Sequence, residues 1–224
     1  GIVNNPCEVW IASGTVSAQT ISITNNASLI IRGGFAGTET SLDERPEGAL
    51  TVFDGENTAK CLLKALTGEN AELTLDQIKF YRAKENGFIK TGGGSLQILG
   101  CVVEANGRDV GTVYGRGMNV QSDGRGSLVV KDSVFAGNRN VSQGDNYGGF
   151  GLYIVDFGNA LVDNSLFVTN GFDILTPEGS VYGKWGWCGN NAKGSSIYAN
   201  NTPITVSNCR FAGNNCPLNA GTGG

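Results

Sequence analysis

The side chains with the most chemistry to offer fall in three segments. "NGRDVGTVYGRG" (106–117), "NRNVSQGDNYGG" (138–149) and "NGFDILTPEGSVYGKWGWCGNNAKG" (170–194) bring Tyr114, Tyr147, Tyr182, Trp185 and Trp187 near Arg108, Arg116, Arg139, Asp145 and Asn146. Aromatic faces flanked by guanidinium, amide and carboxylate groups suit sugar rings or a protein partner. The same rings would also serve to pack long segments onto the body beneath them, because a long ordered loop needs a small core of its own.

Catalysis has to be sought without histidine, which is absent from the chain. That removes the commonest general base, the usual nucleophilic triad and most zinc ligation. The acids that cluster are Asp54 with Glu56, Glu39 with Asp43 and Glu44, and Asp163 with Asp145. The first two groups lie in turn sequences, and spacing does not put the last pair on one face. "FDGEN" and "GDN" lack the dense Asp/Asn spacing of a calcium loop, and none of Cys7, Cys61, Cys101, Cys188, Cys209 and Cys216 has Cys-x-x-Cys spacing. The sequence therefore predicts no catalytic residue, no metal site and no cofactor. Cys188 and Cys216, in Gly/Asn-rich contexts, are the candidates for a disulfide stapling the carboxyl end.

The elements that must position these segments are strands. Thirty-five glycines and few prolines, with Asn, Ser and Thr throughout, describe short strands and many turns. The one passable helical stretch, near "TSLDERPEGA", is broken by Pro46. Leu128, Val130, Ser133, Phe135 and Asn138 align with Leu161 or Ala160, Val162, Ser165, Phe167 and Asn170, and then with Ile204, Val206, Cys209, Phe211 and Asn214. The columns extend back to Leu96, Ile98, Cys101, Val103 and Asn106, and to Leu73, Leu75, Ile78, Phe80 and Ala83. A further strand precedes each unit, as in "CLLKAL" (61–66), "GFIKTGG" (87–93) and "GGFGLYIV" (148–155).

Unequal spacing of a constant motif implies a constant cross-section with loops of different length. One such unit cannot bury its apolar face alone, but a stack can. The fold expected is all-β, a right-handed parallel β-helix (β-solenoid) with long loops on one edge. It forms a single domain over 1–224, with irregular first coils to 57, regular coils over 58–216 and a tail over 217–224. Phe135, Phe167 and Phe211 are expected to stack inward. Asn138, Asn170 and Asn214 are expected at a turn, where Asn adopts a left-handed backbone cheaply and stacked amides can form a ladder. Cys101 and Cys209 share a core column and read as small buried hydrophobes.

With these motifs in place, a resemblance emerges. The Phe-x-x-Asn tetrapeptides, with "GGFGLYI" ahead of one of them, resemble the repeats of the polymorphic outer-membrane protein family, and "EVWIASGTV" with "LIIRGGFAGTETSLDERPEGALTVFDGEN" resembles the opening coils of bacterial secreted right-handed β-helix proteins. The resemblance implies an exported extracellular or bacterial cell-surface protein, often adhesive. The family's Gly-Gly-Ala-Ile type motif stands here as "GGFG", and no membrane-barrel pattern follows.

Charge and hydropathy fit that expectation. A net charge of −4 with scattered Lys and Arg offers no basic face for nucleic acid. Mean hydropathy is −0.10, and no run approaches the roughly 20 apolar residues of a transmembrane segment. The start "GIVNNP" has neither an initiator Met nor a signal segment, as expected of a processed chain or a fragment. Strand-like sequence reaches close to both ends without a helical cap, so self-association through the helix ends is expected, around Val9 and Ile11 at one end and Ile204 and Phe211 at the other. The function expected is structural and adhesive. The alternative is binding or degradation of carbohydrate through the three long segments.

Overall fold

Short runs of alternating β-branched, leucine and phenylalanine side chains, each closed by a residue that turns easily, set the geometry of the chain. The computed structural model describes residues 6–17, 19–107, 116–140, 149–172 and 196–214. Each turn contributes three strands. The first is built from Cys7–Ala12, Gly14–Ser17 and Ile21–Asn25, the second from Leu29–Phe35, Thr51–Asp54 and Cys61–Thr67, and the third from Glu72–Asp76, Ile78–Tyr81 and Asn86–Gly92. The fourth has Ser95–Leu99, Val102–Glu104 and Met118–Gln121, the fifth Ser127–Lys131, Val134–Ala136 and Leu152–Val155, and the sixth Asn159–Asp163, Leu166–Val168 and Ile197–Asn200. A seventh begins with Ile204–Ser207 and Arg210–Ala212.

Strands of one kind stack on one another, always in parallel. The first and second strands of the coils make two seven-stranded sheets, here sheets 1 and 2, and the third strands make the six-stranded sheet 3. This is a parallel β-helix. Among the described residues there is no α-helix. The interrupted helical stretch of the sequence is a single 3-10 turn, Leu42–Glu44, inside an excursion between the first two strands of the second coil. The pairing of Cys7–Ala12 with Leu29–Phe35 also shifts register between Trp10 and Ala12, so the first 57 residues depart from the regular coils in two ways. The excursion is tied down by Arg45, which shares the Asp76 carboxylate with Arg32 and lies over the Phe35 ring.

Register makes the core. In sheet 1, Leu29, Leu73, Leu96, Leu128, Ala160 and Ile204 follow one another, as do Ile31, Leu75, Ile98, Val130, Val162 and Val206. In sheet 2 the column is Val16, Phe53, Phe80, Val103, Phe135, Phe167 and Phe211. The alignment therefore takes Ala160, not Leu161, into the core. Phe135 and Phe167 are fully buried and stack at 4.7 Å between ring centroids, 2° from parallel. Phe211 continues the stack at 5.1 Å from Phe167, but it is 48% exposed because no described strand lies beyond it in sheet 2.

From the third coil to the seventh, sheets 1 and 2 are joined by one left-handed residue per coil: Gln77, Gly100, Asp132, Asn164 and Asn208, with φ between 45° and 56°. A side chain other than glycine costs about 1–2 kcal/mol in that region, less for Asn and Asp, and the pairing on both sides holds it there. Phe167→Ala would empty a fully buried slot between two stacked rings. Its expected cost is about 3–5 kcal/mol, read from the midpoint of denaturant unfolding.

Candidate functional site: the asparagine corner

The place that carries the long segments is the corner between sheets 2 and 3. The third coil crosses it in a few residues, from Tyr81 to Asn86. In the next three coils the chain leaves sheet 2 and returns to sheet 3 with residues 108–115, 141–148 and 173–195 between, so all three long segments are anchored at the same corner of neighbouring coils.

At this corner runs a ladder of side-chain amides. Asn106 Nδ2 donates to Asn138 Oδ1 at 3.0 Å, Asn138 Nδ2 to Asn170 Oδ1 at 2.9 Å, and Asn170 Nδ2 to Asn214 Oδ1 at 3.1 Å. The second proton of each amide goes to the coil before it, from Asn106 to Phe80 O, from Asn138 to Val103 O, from Asn170 to Phe135 O and from Asn214 to Phe167 O. Each Oδ1 also accepts a backbone N–H of the preceding coil, at Ala83, Asn106, Asn138 and Asn170. Asn106, Asn138 and Asn170 are fully buried, where an unpaired amide would be costly, and both functions of each are used.

The ladder corrects one expectation. The asparagines are not the left-handed residues of the turn; positive φ falls on the residue before each, at Ala105, Gly137, Thr169 and Gly213. Asparagine is required for its two-sided amide, not for its backbone. A glycine column on the returning strand makes room for it. A Cβ on Gly87 would meet Asn106 Nδ2 at 3.0 Å, one on Gly117 would meet Gly151 O at 2.3 Å, and one on Gly151 would meet Ser196 O at 2.7 Å. The sequence signal for this column, a glycine just ahead of each sheet 3 strand, is short enough to pass for ordinary turn chemistry.

Of the side chains predicted to form an exposed binding edge, Tyr114, Asp145, Tyr147, Tyr182, Trp185 and Trp187 lie outside the described residues, as do Cys188 and Cys216. Arg116 is described and is fully buried, which removes it from an exposed edge. Its side chain lies against Gly107, whose missing Cβ would come within 2.6 Å of it. Arg139 is half-buried in a two-residue strand, Arg139–Asn140, that pairs with Gly171–Phe172 beside the ladder.

Five of the clustered acids accept hydrogen bonds from backbone or side-chain groups, and Asp145 lies outside the described residues. Asp54 accepts from Arg82 and from the Glu56 N–H, and the Arg82 guanidinium holds its carboxyl below the usual range. Glu56 accepts from Ser17, Glu39 from the N–H groups of Ala36, Gly37 and Thr38, and Glu44 from Thr40. Asp163 accepts from Ser207 and Asn208 of the next coil, and the Ser207 hydroxyl in particular lowers its pKa. Among the described residues no three Cys, Asp or Glu side chains converge to hold a metal ion.

Cys7, Cys61, Cys101 and Cys209 are free thiols. Cys101 is buried as expected of a small hydrophobe, and burial pushes the Cys61 and Cys101 thiols up to about 12. Cys209, in the same column in the last described coil, is half-buried.

One buried cation escaped the reading of the sequence. Lys90 is fully buried, and its ammonium donates to the carbonyls of Gly92, Gly93, Gly94 and Gln121 at 2.9, 2.7, 3.3 and 3.0 Å, with the Phe157 ring 5.2 Å away. Burial lowers its pKa to about 8. Its neighbours Ala65 and Val120 in the sheet 3 column are apolar, so position alone marks it as core. The signal was "KTGGG", a lysine followed by glycines whose carbonyls are free to converge.

Compared with known proteins, the chain matches no family model, no curated protein and no solved structure.

The ladder gives a direct test. Asn138→Leu removes a hub of four hydrogen bonds and leaves buried partners on both sides unpaired, each costing about 1–3 kcal/mol. A loss of about 4 kcal/mol or more is expected by denaturant unfolding. Asn214→Leu, at the last described rung, is expected to cost about 1–2 kcal/mol.

Proposed function

We propose that this chain is a structural and adhesive module of an exported assembly, at a bacterial surface or outside the cell, and that its copies join end to end. The observation that carries the proposal is the position of its exposed apolar side chains. Among the described residues nine large hydrophobics are exposed: Val9, Trp10, Val16, Ile21, Leu42, Leu66, Ile204, Val206 and Phe211. Six of them, all but Trp10, Leu42 and Leu66, are the first or last described members of core columns whose middle members are buried. Among the described residues no strand lies beyond them, and a further coil, of this chain or of a second copy, is what would cover them.

Other features support the same reading. The Phe-x-x-Asn repeats resemble those of adhesive surface proteins. Glu39, Glu44, Asp54, Glu56 and Asp163 are engaged with backbone amides, hydroxyls and an arginine, as in a scaffold. Light scattering and electron microscopy of the purified chain are expected to show rods that lengthen with concentration, and Val206→Glu with Phe211→Glu is expected to leave monomers with an unchanged β-sheet circular dichroism spectrum. Monomers of the unaltered chain at high concentration would sink the proposal.

A second reading, recognition of carbohydrate, is favoured by the anchoring of three long, aromatic-bearing segments at one corner. On that reading, replacing Trp185 and Trp187 with Ala abolishes retention on immobilised polysaccharides while thermal stability stays nearly unchanged. A large fall in melting temperature with retention intact would assign those rings to packing.

A further inference from the structure

We infer that the corner between sheets 3 and 1 contains a monovalent-cation site, built from backbone carbonyls, that the chain fills with its own Lys90 ammonium. The oxygens of Gly92, Gly93 and Gly94, where the third coil leaves sheet 3, converge on Nζ together with that of Gln121, at the end of the sheet 3 strand of the fourth coil. Three consecutive peptide units can aim their carbonyls at one point only where the chain bends sharply, and Gly92 and Gly94 have positive φ, 83° and 77°. Neighbouring groups hold that bend. A Cβ on Gly92 would meet Thr67 O at 2.3 Å and one on Gly94 would meet Ala71 O at 2.2 Å, while the hydroxyls of Thr67 and Ser122 donate to Gly93 O and Gly94 O. The cage is therefore shaped by its surroundings as well as by the lysine it encloses.

The donor set selects the ion. Four neutral oxygens at 2.7–3.3 Å suit a large, singly charged cation. Calcium takes oxygens at about 2.3–2.6 Å and magnesium at about 2.0–2.1 Å, and both draw on carboxylates. Backbone carbonyls are what replace the hydration shell of potassium in selectivity filters. The Phe157 ring, 5.2 Å from Nζ, adds an aromatic face of the kind that attracts cations. An ammonium has three N–H donors for these four acceptors, so at least one donor is shared, a limit that a spherical ion does not have. Gly93 lies against the carboxylate of Asp123, an exposed residue bonded to Arg125, so the cage sits close beneath the surface. The other members of the Lys90 column, Ile23, Ala65, Val120, Ile154 and Ala199, are apolar, and packing alone would be served there by an aliphatic side chain.

Because the charge is carried on the chain, the unaltered protein needs no potassium at this corner, and truncating the side chain transfers the requirement to solution. Lys90→Ala is expected to melt about 5 °C or more below the unaltered chain in tetramethylammonium chloride, whose cation is too large for the cage. Potassium or ammonium chloride at the same ionic strength is expected to recover about half of that loss or more, saturably, with calcium chloride giving no such recovery and the unaltered chain responding equally to all the salts. Lys90→Met, which keeps the stem and fills the space without charge, is expected to melt low in every salt.

Equal melting of Lys90→Ala in all the salts, or a Lys90→Met variant as stable as the unaltered chain, would overturn the inference. So would an identical potassium response from the unaltered chain, which would mark a general salt effect. Should Lys90→Ala stay unfolded in tetramethylammonium chloride, refolding from denaturant is compared in the same salts. Recovery of the β-sheet circular dichroism spectrum in potassium or ammonium alone supports the site, and recovery in none of them overturns it.

Discussion

Parallel pairing between successive coils is the constraint on which the rest of the structure depends. Each strand meets its counterpart one coil away at a spacing of about 4.8 Å, so a residue at one position is stacked, not merely near, its equivalents above and below. Side chains that tolerate self-stacking are selected in every column. Phenylalanine rings at 4.7 Å, leucines in file and asparagines joined amide to amide are three solutions to one geometric demand. Where a column changes residue type, as at Val103 between Phe80 and Phe135, the backbone register holds and only the ring stack is interrupted.

The two kinds of column contribute differently. The apolar columns supply stabilisation that grows with area removed from water and is indifferent to direction. The asparagine ladder is directional: each amide donates toward both neighbouring coils and accepts from the coil before it, so a slipped coil would leave buried amides without partners. The core makes the stack stable, and the ladder makes one register preferable to others. Lys90 has a comparable part at another corner, where one ammonium gathers the carbonyls of three successive glycines and of Gln121 in the next coil.

How much of this was legible in the sequence follows from the same constraint. The sheet 1 and sheet 2 columns could be read because parallel stacking repeats side chains at fixed offsets within the unit. Leu128, Val130, Ser133, Phe135 and Asn138 align with their counterparts whatever lies between units. The exact partner was harder to fix where a unit held two apolar candidates, as at Ala160 and Leu161. The amide ladder was anticipated, but the turn was assigned to the wrong residue, because the left-handed position is filled by Ala105, Gly137, Thr169 and Gly213, which share no side-chain chemistry. Arg116 and Lys90 were illegible as buried residues. Burial of a charged group depends on a pocket that glycines create by what they lack, and single glycines in a glycine-rich chain carry little signal.

The corner between sheets 2 and 3 separates what the fold needs from what it tolerates. Asparagine on the departing side and glycine on the returning side, or Ser196 in the last of these coils, close the coil before any extra residue is counted. The closure entropy of a flexible loop grows only slowly, by about 0.6 kcal/mol per doubling of length. Length at this point is therefore close to neutral for the stack. Sequence can drift, duplicate or be exchanged there while the columns stay under strict selection. The same property makes the corner a natural place to graft a foreign peptide, displayed at successive levels along one edge of a rigid rod.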